Sequence, residues 1–119
     1  LVAEAEEQKG IRIVRAVFTA TPETEPLPWN AEMIKRLALR LMEYPACVAL
    51  LGLKADKAQL TFARSDDVVY DMVALLKEAG RIIGGGGGGQ PHFVQGGGSR
   101  PERLDEALTA AYQTLSGSL

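Results

Sequence analysis

Between Ile11 and Phe18, Ile- and Val-rich apolar positions alternate with the period of a β-strand. Thr19 to Trp29 then breaks the pattern: Thr21 to Pro28 holds three prolines and predicts a loop that cannot be helix. Asn30 is a suitable helix N-cap, and Glu32 complements the dipole of a first turn. Ile34, Leu37, Ala38 and Leu41 recur at helical spacing, and Tyr44-Pro45 ends that helix. The continuous apolar run Cys47 to Leu53 predicts a buried strand. Lys54 to Lys57 forms a turn, and Gln59 to Ala63 alternates as the second strand of a hairpin.

Ser65, Asp66 and Asp67 are candidate caps for a helix from about Val68 to Arg81. Its apolar face is Val68, Met72, Leu75, Leu76 and Ala79, and Gly84 terminates it. His92 to Gln95 suits a short strand. Ser99-Arg100-Pro101-Glu102 has the form of a capping box. It opens the cleanest amphipathic helix of the chain, with Leu104, Ala107, Leu108, Ala111, Tyr112 and Leu115 on one face. The predicted fold is α/β: one domain with a mixed β-sheet flanked by helices, in the order β-α-β-β-α-(β)-α, with a glycine-rich loop before the last helix. Residues 11–119 make the globular domain, with the glycine-rich loop at 84–98. Residues 1–10, opening Leu1-Val2-Ala3-Glu4-Ala5-Glu6-Glu7, read as the end of a preceding helix or a linker. The chain reads as a piece of a larger protein.

Composition narrows the function classes. With 46% hydrophobic residues in 119, the chain can bury a core and is not disordered. A net charge of −2 argues against strong non-specific nucleic-acid binding, though not against a local basic patch. The single cysteine, Cys47, excludes an internal disulfide and fits a reducing compartment. Set in an apolar run, it reads as a core residue rather than a nucleophile. No stretch of about 20 apolar residues predicts a membrane span. One histidine and no His/Cys/Asp cluster at ligand spacing predict no metal site and no catalytic residues in this domain. Asp66, Asp67 and Asp71 are neighbours, but Asp66 and Asp67, at a helix start, read as capping and dipole complement rather than as metal ligands.

The remaining chemistry lies in Gly84 to Gly98, which holds nine of the 13 glycines. Glycine is entropically costly to order, so an ordered run between two helices implies close backbone approach. Two readings follow. Backbone N–H groups of Gly84, Gly85, Gly86, Gly87, Gly88 and Gly89, and of Gly96, Gly97 and Gly98, can form an anion-binding nest. The start of the last helix, with Arg100 and Arg103, would complete a phosphate cradle, against the repulsion of Glu102. Alternatively, the glycines only permit tight crossing of chain segments. Gln90, His92 and Gln95 are the polar side chains that could contact a phosphate, sugar or base edge. Lys35, Arg36 and Arg40 read either as a solvated helix face or, if RNA binds this domain, as the candidate basic patch for its phosphates, with Trp29 and Tyr44 as flanking aromatics that either join the core or stack on bases.

The segment from Ile83 through the glycines, Gln90-Pro91, Gln95 and Gly96-Gly97-Gly98 resembles the C-terminal domain of alanyl-tRNA synthetases, a DHH-associated domain also found beside DHH phosphoesterase catalytic domains. The likeness runs from about Cys47 to Leu115. The synthetase version reads Gly-Gly-Lys-Gly-Gly-Gly-Arg-Pro-Asp-Met-Ala-Gln-Ala-Gly-Gly. Here Gly86 replaces the lysine and Gln90 the arginine, which shifts weight from side chains to backbone. The phosphoesterase version carries Gly-Gly-Gly-His followed by Ala-Ala-Gly, which is absent. The resemblance implies a cytoplasmic, tRNA-binding, non-catalytic module that contacts the tRNA outer corner and supports aminoacylation and editing by other domains. ATP and zinc would bind elsewhere in the parent chain, no cofactor here, and a homodimer is possible. The alternatives are the substrate-binding domain of a DHH phosphoesterase, with His92 on a nucleotide phosphate, or a dimerisation module.

Overall fold

The computed structural model describes residues 2–8, 10–19 and 31–118. The proline-rich segment, Trp29 and the Asn30 cap lie outside the described residues. Among the described residues nine elements and one 3₁₀ turn follow in order: β1 (Val2–Gln8), β2 (Ile11–Thr19), α1 (Ala31–Leu41), β3 (Cys47–Lys54), β4 (Ala58–Arg64), α2 (Met72–Ile82), β5 (Gly85–Gln90), β6 (Phe93–Gly98), the turn Pro101–Arg103, and α3 (Leu104–Ser118). Among the described residues the strands form one six-stranded sheet in the order β1-β2-β3-β4-β6-β5. Only β2 and β3 run parallel; the other neighbours are antiparallel.

Strand alternation sends side chains to two faces. Ile13, Val48, Leu50, Leu60, Phe62 and Val94 pack under α2 and α3 in the larger core. Ala16, Phe18, Ala49, Leu51, Leu53 and Ala63 pack under α1, through Ile34 and Ala38. β3 is buried almost throughout, as expected of a central strand covered on both faces. On α3 the predicted stripe is buried at Leu104, Ala107, Leu108, Ala111 and Leu115. Gly52 lets this helix lie close, because a Cβ there would meet Leu108 Cδ1 at 3.0 Å.

The structure corrects the expected elements at four places. Val2–Gln8 is a strand, not the end of a helix or a linker, and pairs along its length with β2. Its Ala/Glu composition favours helix locally. The pairing overrides that preference, and the register sets Glu4 opposite Arg15 and Glu7 opposite Arg12. Secondly, α2 begins at Met72 and is capped by Asp71, whose carboxylate accepts from the Val73 N–H at 2.9 Å. Asp67 instead holds a distant turn. Its carboxylate accepts from the Ala46 N–H at 2.8 and 3.0 Å and from the Ser65 hydroxyl at 2.5 Å. The Ser65 Oγ in turn accepts from the Cys47 N–H at 3.0 Å. This brace fixes Ala46 at a φ of 49°, where β3 starts.

Thirdly, Ser99 forms no capping box. The chain enters α3 through a 3₁₀ turn whose N-cap is Arg100, with no side-chain cap bond. The Arg100 N–H is drawn instead to the Ile83 carbonyl at 2.9 Å, and Pro101 starts the turn. Fourthly, the glycine-rich segment is not a loop. It is the β5–β6 hairpin on one edge of the sheet.

Candidate nucleic-acid interface

The hairpin begins where α2 stops. Ile83 caps the helix, and Gly84 turns the chain at a φ of 75°. Glycine is then required at alternate positions. A Cβ at Gly85 would lie 1.9 Å from the Gly97 carbonyl oxygen, and one at Gly87 would lie 2.3 Å from that of Gln95. Gly98 is equally confined: a Cβ there would lie 2.3 Å from the Ile83 carbonyl oxygen. Gly86 and Gly88 are different: a Cβ at either meets nothing within 4 Å. Behind the strand, Gly80 of α2 packs on Gly86, where a Cβ on Gly80 would be 3.0 Å from the Gly86 Cα. β5 is thus backed by a helix on one side and bare on the other.

The registers place three rows across the α1 face of the sheet. They are Leu53, Gln59, Gly97, Gly86; then Leu51, Thr61, Gln95, Gly88; then Ala49, Ala63, Phe93, Gln90. Each row passes outward from a residue beneath α1 to β5, the first through Gln59 and the second through Thr61 and Gln95. The hairpin therefore ends in a flat strip of exposed backbone with Gln95 and Gln90 as side-chain hydrogen-bonding groups.

Each end of the strip has a cleft. At the tip, a cavity of about 370 Å³ is lined by Lys35, Leu39, Met42, Arg64, Asp66 and the Gly89–Phe93 turn. At the base, one of about 490 Å³ lies among Lys57, Gln59, Gly84, Gly97 and Ser99. The tip is pinned: the Pro91 carbonyl accepts from the Met72 N–H at 2.9 Å, and that of His92 from the Arg64 N–H at 3.0 Å. The six-residue strands separate the two ends by roughly 17 Å.

Of the residues singled out in the sequence, the hairpin brings together the nine glycines, Gln90, His92 and Gln95, and Lys35 joins them at the tip. Arg100 lies at the base, where a Cβ on Gly84 would touch its Cγ at 3.2 Å. Arg36 and Arg40 do not line either cleft; they pair along α1 with Glu32 and Glu43, both at 3.3 Å. Arg103 is bound by Glu106, and with Asp105 also in the first turn of α3 the carboxylates there oppose a phosphate cradle. Tyr44 is exposed, beside another cleft formed with Arg12, Val14 and Leu41. Lys57 and Arg64 were not visible as site residues, because only the β4–β6 pairing brings them to the hairpin. Among the described residues, no three His, Cys, Asp or Glu side chains are grouped to hold a metal ion. No helix there is long and apolar enough to cross a membrane.

Sheet, helices and glycine edge define a single α/β domain in which the helices cover both faces and one edge is left as bare backbone. The sequence matches the DHHA1 domain over residues 12–117, and the chain belongs to that family. It is 32% identical to an alanine–tRNA ligase of Methanococcoides burtonii over 100% of its own length and 12% of the relative's. It is 33% identical to the ligase of Bacteroides fragilis over 91% of the chain, again 12% of that protein. The chain thus spans about an eighth of the length of these relatives. Its fold is shared with the C-Ala domain of Aquifex aeolicus alanyl-tRNA synthetase, with a TM-score of 0.79, covering 95% of this chain and 98% of that one at 23% identity.

Proposed function

We propose that this domain is the tRNA-binding module of an alanyl-tRNA synthetase, meeting the outer corner of tRNA through the β5–β6 hairpin. The observation that carries the reading is the bare strip at Gly86 and Gly88, with a lysine-bearing cleft at each end. A folded RNA surface can approach such a backbone closely, while Lys35 and Lys57 engage phosphates on either side. Similarity to alanine–tRNA ligases along the whole chain supports the choice of RNA. The module is non-catalytic and cytoplasmic; aminoacylation, editing, ATP and zinc belong to other parts of the parent chain.

The test is a titration of the domain with tRNA across a range of salt. The expected result is saturable binding that weakens with salt at a slope of about 2 to 3 phosphates. A minihelix lacking the D and T loops should bind no better than unrelated single-stranded RNA. Equal affinity for tRNA and minihelix would remove the outer-corner assignment, and no binding at low salt would remove the RNA-binding one.

A further inference from the structure

We propose that the cleft at the hairpin tip is a subsite for one unstacked nucleobase with its phosphate, and that it prefers guanine. The inference rests on the RNA-binding reading and adds a pocket to it. The cleft is built from two unlike surfaces. Lys35 and Leu39 on α1 and Met42 in the turn that follows it fall at i, i+4 and i+7, beside the buried stripe of Ile34 and Ala38. On this second stripe Leu39 is left 50% exposed, while Met42 is half-buried and packs against the core beneath the helix. Facing it is Phe93, half-buried at the margin of the core beneath α1. Leu39, Met42 and Phe93 thus form an open apolar slot within a cavity of about 370 Å³.

Charge surrounds that slot. Lys35 makes no ion pair among the described residues. The Arg64 guanidinium is fixed by donation to the Tyr70 carbonyl at 2.6 Å and the Ser65 carbonyl at 3.3 Å. A lone phosphate would satisfy these cations and leave the apolar walls wet. A purely apolar ligand would do the reverse. A base stacked in the slot with its phosphate at the rim matches both, and aromatic stacking tolerates any base.

Asp66 supplies the selectivity. An ionised carboxylate only accepts hydrogen bonds, and its two oxygens suit two adjacent donors. On the Watson–Crick edge, guanine offers N1–H beside its amino group. Adenine offers one donor beside an acceptor, and uracil one donor between acceptors. The pinned Pro91–His92 tip and the fixed Arg64 keep the cleft formed before a ligand arrives.

The isotope-labelled 119-residue chain can be titrated by NMR with GMP, AMP, UMP and ribose 5-phosphate. GMP should shift the amides of Leu39, Gln90 and Phe93 with a Kd of about 1 mM. It should bind about fivefold or more tighter than AMP, and Asp66→Asn should abolish that preference. Ribose 5-phosphate should bind roughly tenfold more weakly, for want of stacking. Leu39→Ser, at a half-exposed position that spares the fold, should weaken GMP by roughly fivefold. Shifts elsewhere only, ribose 5-phosphate as tight as GMP, or a guanine preference that survives Asp66→Asn would overturn the proposal. If tRNA binds while nucleotides leave the cleft untouched, the subsite fails and the RNA-binding module stands. If nucleotides fill the cleft and tRNA does not bind, the subsite stands and the module reading fails.

Discussion

Alanine substitutions along β5 should alternate in sign. At Gly87 a new Cβ would lie 2.3 Å from the Gln95 carbonyl oxygen and 2.4 Å from the Gly96 Cα. Both are backbone atoms of the paired strand, so no side-chain rotation relieves the contact; β5 and β6 must separate. Overpacking of this kind costs about 1–3 kcal/mol, and with ladder hydrogen bonds stretched Gly87→Ala belongs at or above the upper end. At Gly88 the same Cβ enters open space, and the backbone is not in the left-handed region. There the substitution removes unfolded-state entropy at no steric cost, so Gly88→Ala should stabilise by about 0.4–1 kcal/mol. The two variants, one residue apart and chemically identical, should differ by at least about 3–4 kcal/mol. Urea unfolding followed by far-UV circular dichroism measures the difference directly. Equal stabilities, or a Gly87→Ala variant as stable as the parent, would refute the hairpin geometry. The segment would then be a loop in which glycines serve only as flexible spacers.

Three further outcomes follow from the same geometry. Gly86→Lys places a cation in open space on the proposed RNA face, so tRNA affinity should rise and the salt slope should steepen by about 1; an unchanged slope would show that this side of β5 does not meet RNA. The Ser65 hydroxyl and then the Ala46 N–H hold the Asp67 carboxyl below its ordinary value of 3.8. A depressed folded-state pKa gives stability that is present above the ordinary value and lost as pH falls through the lowered one. Asp67→Asn should therefore lower the melting temperature at pH 7, with the deficit shrinking below about pH 4, as read from melting curves against pH. Burial pushes the Cys47 thiol up, so Ellman's reagent should leave it unmodified in the native protein at pH 8 and react fully once urea unfolds the chain; rapid native labelling would contradict its place in the core.

Much of the fold was legible because it is written in side-chain period. β3 is a continuous apolar run, and α3 has its buried face spaced by three and four. The central strands and the last helix follow from these alone. β5 was illegible for the opposite reason. A run of glycines has no side chains and hence no period, and its strand character arises only from pairing with β6. β1 was hidden by a helix-favouring composition that sheet pairing overrides. Ser65, Asp66 and Asp67 were the caps legible in the sequence, but Asp67 is held by the Ala46 N–H, 21 residues before it, and α2 starts later, capped by Asp71. The site divides in the same way. The glycines, Gln90, His92, Gln95 and Lys35 meet as residues of one surface, whereas the basic pair Arg36 and Arg40 is engaged by neighbouring glutamates. Lys57 and Arg64 became visible only through the register of β4 with β6.

The most direct measurement is the tRNA affinity of two charge-reversal pairs at low salt. If the hairpin strip is the RNA face, Lys35→Glu with Lys57→Glu removes the cation at each end and should weaken tRNA binding by at least about tenfold, with the salt slope falling by about 2. Arg36→Glu with Arg40→Glu, the same change of charge off both clefts, should weaken it only a fewfold. A stronger loss from the Arg36 and Arg40 pair than from the Lys35 and Lys57 pair would contradict the account and move the interface to the outer face of α1.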